Sequence, residues 1–267
     1  MQNIEFNRMM GVEHFYIYVQ SASAKVMALL EYYKKKDLIT ILYVPEKPTS
    51  RAWYNSQVML NNDCHLRARY TSQYIAIVDP DEFIVPLRHN SWLELVEHLE
   101  RQPQNSSLPV AHYSFRHAFY GSPEMNSSVW AQVKSNLSLT SGDEKFIREL
   151  HVFLYLGMYR TRFYDYPSRA KSIYKPGLVL ESGTHTPEKI AAGSRGLSVP
   201  TELAILQHHN HRHRDSTNCF LDIHLLPFHR QYLQRLRVVG SSLPNISDSA
   251  LCTDLPNICP SPKPGLQ

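Results

Sequence analysis

The chain has 267 residues, of which 43% are hydrophobic and 19% charged, and its formal charge is +4. This composition excludes a disordered chain and predicts one sizeable core or two small ones. The mild charge, without a long Lys/Arg run, gives no support for nucleic-acid binding, and no stretch of about 18 apolar residues is available to span a bilayer.

The first half of the chain alternates predicted strands and helices. Compact apolar runs predict strands, and apolar residues at helical spacing predict helices. In chain order these are a strand over 14–19, a helix over 22–35, a strand over 38–44, a helix over 56–72, a strand over 74–85 that ends in acids, and a helix over 92–101 capped by Ser91 with Glu94 at the capping-box position. The alternation predicts an α/β fold, with a mainly parallel sheet of Rossmann type flanked by helices in a single domain.

The second half is less regular. Short strands are predicted over 110–119, 171–175, 178–182 and 203–207. Residues 123–147 are predicted to be surface loop, and residues 216–239 a terminal helix interrupted near Pro227. The proline-rich segment 241–267 is predicted to be a flexible tail.

Cysteines and glycosylation motifs bear on the compartment of the protein. Cys64, Cys219, Cys252 and Cys259 form no CxxC pair, so no zinc site is predicted. Cys252 and Cys259 would close a small loop as a disulfide or remain two free thiols. The sequons at Asn105, Asn126, Asn136 and Asn245 exceed the number expected from composition and favour the secretory pathway.

The segment Asp79-Pro80-Asp81-Glu82 follows an apolar run and carries the clearest chemical motif. Open α/β sheets bind ligands at the carboxyl ends of their strands, and two carboxylates one residue apart can face one divalent cation. Such a cation can hold a diphosphate and stabilise the charge that develops as it leaves. Pro80 restricts the turn between the two acids.

Two other interpretations of these acids remain open. Asp and Pro are ordinary turn residues, so the segment would then be a polar turn without a ligand. A metal-dependent phosphatase of the haloacid dehalogenase type also has D-x-D at a strand end, but its motif continues into Thr or Val, whereas Glu82 follows here. The chain has no Walker A and no GxGxxG sequence.

Four segments together resemble glycosyltransferase family 92, a galactosyltransferase-like family with the GT-A fold. The first is IEFNRMMGVEHFYIY, similar to an opening helix and second strand, and the second is LNNDCHLRARYTSQYIAIVDPDEFIVP, similar apart from one Asn to the helix, strand and D-x-D segment. The others are SRAKSIYKPGLVLESGTHTP and LAILQHH, in the family's order, within residues 4–236. The resemblance implies a family domain over 1–240.

The chain departs from the family at its beginning. Members usually start with a further strand, a Cys-Val-Ser-Pro-like segment and an upstream membrane anchor. The domain is therefore expected to lack its first strand. Any contact with a membrane is expected to require an anchor that is absent from this sequence. Val19-Gln20 stands where many members have Asp-Asn. An exposed apolar edge is therefore expected beside residues 14–19.

The resemblance also implies an activity: transfer of galactose from UDP-galactose to a glycan or glycoprotein acceptor in the Golgi lumen, assisted by Mn²⁺ or another divalent cation. Asp79 and Asp81 would bind the metal, and Glu82 would orient the site. The remaining donor-binding candidates are Asn62, Asp63 and Arg67 on the preceding helix, and Lys171 and Lys175 in the basic segment, which would neutralise phosphate or cap a strand.

Two histidines are candidates for a further metal or diphosphate ligand. His185 in GTHTP is preferred because GT-A enzymes often use a late His, and imidazole can bind Mn²⁺. His208 at the end of AILQH is the alternative. The surrounding cluster HHNHRHR, residues 208–214, would as a solvated loop bind metals only adventitiously.

The catalytic base is not determined by the sequence. An inverting transferase needs a carboxylate that deprotonates the acceptor hydroxyl, and Asp143, Glu144 and Glu181 are the candidates. The spacing of these residues leaves a retaining mechanism open as the alternative. The alternative to an enzyme is an inactive, truncated transferase-like module that binds glycans or a partner protein.

Overall fold

The computed structural model describes residues 1–44, 56–103, 106–121, 127–156, 158–209, 220–222 and 228–243. The helices in these ranges are α1 (Gln2–Met9), α2 (Ala24–Lys34), α3 (Gln57–Ala68), α4 (Trp92–Arg101), α5 (Ser127–Leu137), α6 (Ser141–Glu149), α7 (Phe153–Leu156) and α8 (His229–Ser242). The strands are β1 (Phe15–Val19), β2 (Ile39–Tyr43), β3 (Ile75–Ala76), β4 (Glu82–Pro86), β5 (Val110–Phe115), β6 (His117–Gly121), β7 (Tyr159–Arg160), β8 (Lys171–Tyr174), β9 (Val179–Glu181), β10 (Lys189–Ile190), β11 (Arg195–Val199), β12 (Ala204–His209) and β13 (Phe220–Leu221).

The described strands form two larger and two smaller sheets. One large sheet has the order β11-β5-β8-β3 and the other the order β13-β7-β6-β12-β4, while β1 pairs with β2 and β9 with β10. The strands β3 and β4 therefore lie at the edges of the two larger sheets, and residues 77–81 connect these edges. None of the described helices combines the length and the apolar character needed to cross a membrane.

The pair β1 and β2 forms the parallel unit that the periodicity predicts. Phe15 aligns with Ile39 and Val19 with Tyr43, and α2 provides the crossover. Ser23 caps α2 by accepting a hydrogen bond from the Val26 amide at 3.3 Å. Leu30 and Tyr33 of α2 are buried with Val19 and Ile39. The predicted strand, helix and strand are confirmed over these ranges.

The strand β4 shows how the larger sheet separates two layers of core. Successive side chains of a strand point to opposite faces. Phe83 and Val85 pack into a cluster with α1, α5, α6 and α8, whereas Ile84 packs into a second cluster with α4, β5 and β8. All three side chains are fully buried. This double burial explains why β4 has no polar alternation in sequence.

The prediction of a mainly parallel sheet is not confirmed. The parallel pairs are β1 with β2, β5 with β11 and β6 with β12. The other described pairs are antiparallel, including β4 with β12 and β8 with both β3 and β5. The fold is a mixed α/β domain, because most strands beyond residue 110 pair antiparallel with their neighbours. Such pairs do not need the crossover helices that connect parallel strands.

The prediction of surface loop over 123–147 is wrong, since α5 and α6 occupy most of it. Trp130, Val133 and Leu137 of α5 lie at helical spacing and are buried, as is Ile147 of α6. The Ser- and Asn-rich composition conceals these helices, which tertiary packing stabilises against weak intrinsic propensity.

Several other predictions fall partly or wholly outside the described residues. The terminal helix is present as α8 and the short strand β13 lies before it, within the range predicted as one helix. The helix α8 extends to Ser242, and the predicted tail lies outside the described residues from position 244. The same holds for Cys219, Cys252, Cys259 and the sequons at Asn105, Asn126 and Asn245, whereas Cys64 is half-buried and Asn136 lies in α5.

Candidate functional site

The acids at positions 79 and 81 lie in a tight turn rather than at the end of a long strand. The Glu82 amide donates to the Asp79 carbonyl at 3.0 Å, which closes a four-residue turn with Pro80 at its second position. Proline fits this position because its ring fixes the backbone angle that the turn requires. Asp79 and Asp81 are 40% and 39% exposed, whereas the Glu82 side chain is 3% exposed. The turn thus presents two carboxylates outward and buries a third.

Neighbouring elements hold the backbone of this turn. The Asn3 side-chain amide on α1 donates to the carbonyls of Asp79, at 3.4 Å, and Glu82, at 3.0 Å. On the other side, the His209 amide of β12 donates to the Asp81 carbonyl at 2.8 Å. All three hydrogen bonds join residues at least 76 positions apart in sequence. The direction of the two aspartates is therefore set by the tertiary structure.

Glu82 and Lys171 form the buried electrostatic centre of the site. The Glu82 carboxylate accepts a hydrogen bond from the Asp79 amide at 2.9 Å. The Lys171 ammonium lies 3.2 Å from Asp79 Oδ2 and 3.3 Å from Glu82 Oε2, and it donates to the Thr184 carbonyl at 3.0 Å. Burial raises the pKa of Glu82 to about 7, against the opposing effect of the Lys171 charge. Burial acts to lower the pKa of Lys171, but Glu82 and Asp79 outweigh it and raise that pKa above its ordinary value.

The Lys171 ammonium is fully engaged by partners inside the protein. Its side chain is 2% exposed, and its three N–H groups face Asp79, Glu82 and Thr184. Lys175 lies four residues further along the extended chain, about 13 Å away, and it pairs with Glu100, which also accepts from the Tyr113 hydroxyl at 2.7 Å. The two lysines therefore serve different parts of the fold, with Lys171 at the acidic turn.

Of the two candidate histidines, His208 is the one that pairs with Asp81. Its Nε2 lies 3.3 Å from Asp81 Oδ2, and its Nδ1 lies 3.5 Å from Glu82 Oε1 and shares a hydrogen bond of 2.9 Å with His117 Nε2. Burial acts to lower the pKa of His208, but the hydrogen bond to Asp81 and the surrounding carboxylates raise it above its ordinary value. Burial acts to raise the pKa of Asp81, and His208 outweighs this effect and lowers it.

His185 lies on the loop after β9 and is exposed. Partial desolvation and the Lys171 ammonium lower the pKa of His185, while the Asp79 carboxylate acts in the opposite direction. The imidazole of His185 is thus close enough to the acidic turn for the charges of Lys171 and Asp79 to shift its pKa.

The helix α3 runs away from the turn, beginning at Gln57. The Gln57 side-chain amide donates to Asp79 Oδ1 at 3.1 Å. Asn62 lies about 7.5 Å further along the helix, where it binds the Ser182 backbone. Asp63 accepts hydrogen bonds from the Tyr18 hydroxyl at 2.5 Å and from Arg67 Nε at 2.7 Å. The predicted donor-binding residues Asn62, Asp63 and Arg67 therefore lie along one helix, which leads from the acidic turn toward the end of β1.

The three candidate bases occupy two separate parts of the fold. Asp143 and Glu144 lie in the first turn of α6, where Asp143 forms a capping box with Thr140 and an ion pair with Arg237. Hydrogen bonds to Glu144 from Lys134, Trp130 and Arg148 lower its pKa to about 2, so it is a weak base. Glu181 is exposed at the end of β9 and precedes the loop that carries His185.

Asp81 and His208 are spaced as two ligands of one divalent cation would be, and the cation would take the place of the proton in their present hydrogen bond. Two ligands of one cation, each about 2.1 Å from it, lie about 3 Å apart when they are at right angles, and Asp81 Oδ2 and His208 Nε2 are 3.3 Å apart. Carboxylate and imidazole both suit Mn²⁺. Each Asp79 oxygen accepts one hydrogen bond, from Gln57 or Lys171, and keeps a second lone pair that could bind the cation. Within the described ranges, no three or more His, Cys, Asp or Glu side chains are gathered into a metal-binding group.

Sequence reasoning missed four residues that shape this site: Gln57, Asn61, His117 and Asn3. Each acts through contacts with residues distant in sequence, as Gln57 does with Asp79 and His117 with His208. Asn3 is part of the opening segment IEFNR by position, but nothing in a single sequence marks its contact with the turn. No local pattern would have found them.

Two comparisons with known proteins bear on identity. None of the curated proteins matches the chain. The model of glycosyltransferase family 92 matches residues 1–239, which include the turn, Lys171 and both histidines, and the chain therefore belongs to glycosyltransferase family 92.

Proposed function

We propose that this protein transfers a sugar, galactose from UDP-galactose, to a glycan acceptor with the assistance of Mn²⁺ or a similar cation. Membership of family 92 indicates glycosyl transfer, with a sugar donor and a glycan acceptor. The observation that carries the finer proposal is the turn at 79–82, which holds two half-exposed carboxylates above a buried Glu82–Lys171 pair. The compartment that we propose is the Golgi lumen.

In this proposal the donor diphosphate lies against the outer side of the turn. Asp81 and His208 would hold the cation, with Asp79 as a further ligand. When bound, the cation would neutralise the diphosphate and stabilise the charge on the leaving UDP. The residues beneath the turn keep the two aspartates in place, because Glu82 and Lys171 fix Asp79 and the β12 backbone fixes Asp81. Such preorganisation reduces the rearrangement needed at the time of reaction.

The proposed transfer is inverting, with a carboxylate that removes the acceptor hydroxyl proton. Among the sequence candidates, Glu181 is favoured by its exposure and its position directly before the loop that bears His185. Asp143 and Glu144 are disfavoured, since both are held by ion pairs that join α6 to α5 and α8. The Arg67–Asp63–Tyr18 group would lie on the nucleotide side of the donor.

Calorimetric titration with UDP, with and without Mn²⁺, tests this proposal. The wild-type protein is expected to bind UDP only when the cation is present, and Asp81→Ala is expected to abolish that binding. Sugar transfer by Asp81→Ala should fall about a hundredfold or more, because the cation contributes several kcal/mol to the transition state. The free energy of unfolding should change by about 1 kcal/mol or less, since Asp81 is a half-exposed turn residue.

The matched control is Asp165→Ala, which removes a fully exposed carboxylate paired with Arg116. It should leave UDP binding and transfer unchanged. Full Mn²⁺-dependent turnover in Asp81→Ala would show that the donor site lies elsewhere. Absence of UDP binding by the wild-type protein in both conditions would favour the alternative, an inactive transferase-like module that binds glycans or a partner.

A further inference from the structure

The loop over residues 182–186 is held by side chains from two other elements. The Asn62 side chain forms two hydrogen bonds with the Ser182 backbone, donating to the carbonyl and accepting from the amide, each at 2.9 Å. Asn61 donates to the Gly183 carbonyl at 2.9 Å, and Lys171 donates to the Thr184 carbonyl at 3.0 Å. Three consecutive residues are therefore fixed through their backbone, directly before His185.

The course of this loop depends on Gly183. A Cβ at this position would lie 2.3 Å from the Thr186 carbonyl oxygen and 2.7 Å from Glu188 Oε1. Backbone atoms cannot move away as a flexible side chain can, so any larger residue would displace the loop. Both Ser182 and Gly183 are buried, and the loop emerges at His185, which is exposed.

The hydrogen bonds of Asn62 leave little of its side chain for a ligand. Its two amide protons go to the carbonyls of Val58, at 2.8 Å, and Ser182. Its oxygen accepts from the Ser182 amide. An Asn side chain has two donor protons and one acceptor oxygen, so all its groups are engaged. Asn61, only 7% exposed, likewise turns inward to Gly183.

We propose that Asn61 and Asn62 are positioning residues that fix the loop over residues 182–186, so that His185 faces the diphosphate of the sugar donor beside Asp79. This inference rests on the proposed function and deepens it. The imidazole of His185 would provide a hydrogen bond to a phosphate oxygen. Lys171 links the two parts of the site, because the same ammonium contacts Asp79 and the Thr184 carbonyl. The role of Asn62 is indirect, through His185, rather than through contact with the nucleotide.

Hydrogen exchange on the protein without ligand tests the positioning itself. In Asn62→Ala, the amides of residues 182–186 should exchange about tenfold faster or more than in wild type, since two hydrogen bonds to the loop are lost. The control is Leu66→Ala, which changes an exposed apolar side chain of the same helix and should leave exchange in the loop unchanged. Unchanged exchange in Asn62→Ala would overturn the proposal, whatever happens to UDP binding.

Titration with UDP in the presence of Mn²⁺ tests the functional part. Asn62→Ala and His185→Ala should each weaken UDP binding by about tenfold, the value of one lost hydrogen bond to a charged group. The double variant Asn62→Ala/His185→Ala should bind UDP as tightly as His185→Ala alone, because Asn62 acts only through His185. Additive losses would show that Asn62 contacts the nucleotide itself and would overturn the proposal.

Gly183→Ala provides a second route to the same loop without a change in α3. It should accelerate exchange over residues 182–186 and weaken UDP binding to the same extent as Asn62→Ala. Faster exchange in both variants with UDP binding at the wild-type level would overturn the role in donor binding. Absence of UDP binding by wild-type protein would reject both the proposed function and this role, and the exchange data would then show whether the loop is held as described.

Discussion

At the turn between β3 and β4, one buried ammonium group lies within 3.3 Å of two carboxylates. Removal of Lys171 would leave Glu82, which is 3% exposed, without its counter-charge. Loss of one partner of a buried ion pair usually costs about 3–5 kcal/mol. We expect Lys171→Met to lower the free energy of unfolding by about 3 kcal/mol, measured by urea titration at pH 8.

The cause of this loss can be separated from a packing defect. Glu82→Gln in the Lys171→Met background removes the unpaired charge, so the double variant should regain more than half of the lost stability. Lys145→Met, at an exposed pair with Glu149 on α6, should change the free energy of unfolding by less than about 0.5 kcal/mol. A double variant no more stable than Lys171→Met would indicate that shape rather than charge is responsible.

At the scale of elements, α6 is a structural helix joined to α5 and α8. Its N-terminus has the Thr140–Asp143 capping box, and Glu144 bonds to Lys134 and Trp130 of α5. Glu144→Gln is therefore expected to lower the melting temperature while transfer stays within about twofold of wild type. A true general base contributes about 10²–10⁴-fold, so loss of transfer on that scale would contradict this assignment.

The matched variant for this comparison is Glu181→Gln. Glu181 is exposed at the end of β9, and its carboxylate is not required to hold a helix. Its substitution should leave the melting temperature nearly unchanged and reduce transfer by about a hundredfold or more. Equal transfer by Glu144→Gln and Glu181→Gln, both near wild type, would exclude each of them as the base.

For the whole molecule, His112 makes the stability of the fold depend on pH. It lies in β5, between β8 and β11, where its Nδ1 shares a hydrogen bond of 2.9 Å with Ser114 and its ring packs against Gly196. Burial lowers the pKa of His112 from 6.5 to about 4. Between these values the unfolded chain binds a proton that the folded chain does not. This contribution to stability is therefore complete above about pH 6.5 and is lost as the pH falls toward 4, by about 3 kcal/mol.

Urea unfolding from pH 4.5 to 7.5 measures this dependence. His112→Asn should be less stable at pH 7.5, but its stability should fall less steeply on acidification than that of wild type. His14→Asn, at an exposed histidine that contacts Thr40, should keep the wild-type slope. An unchanged slope in His112→Asn would show that other groups cause the loss of stability in acid.

The sequence by itself determined the local elements whose patterns are complete within a few residues. The helix α4 begins where Ser91 and Glu94 predict it, with the Ser91 hydroxyl accepting from the Glu94 amide at 3.2 Å. The parallel pair of β1 and β2 follows from two apolar runs separated by an amphipathic helix. The acids at 79 and 81 were recognised because an apolar run leads directly into them.

The tertiary structure alone decided which residues meet at those acids. Asp81 pairs with His208, Asp79 with Gln57 and Lys171, and α3 with the loop that carries His185. These partners are 22 to 127 residues apart, and they are joined by strand pairings such as β4 with β12 that depend on burial of both faces of the sheet. Periodicity reports which face of an element is apolar, but not the element against which that face packs. For this reason the sequence identified the two aspartates and left their neighbours open.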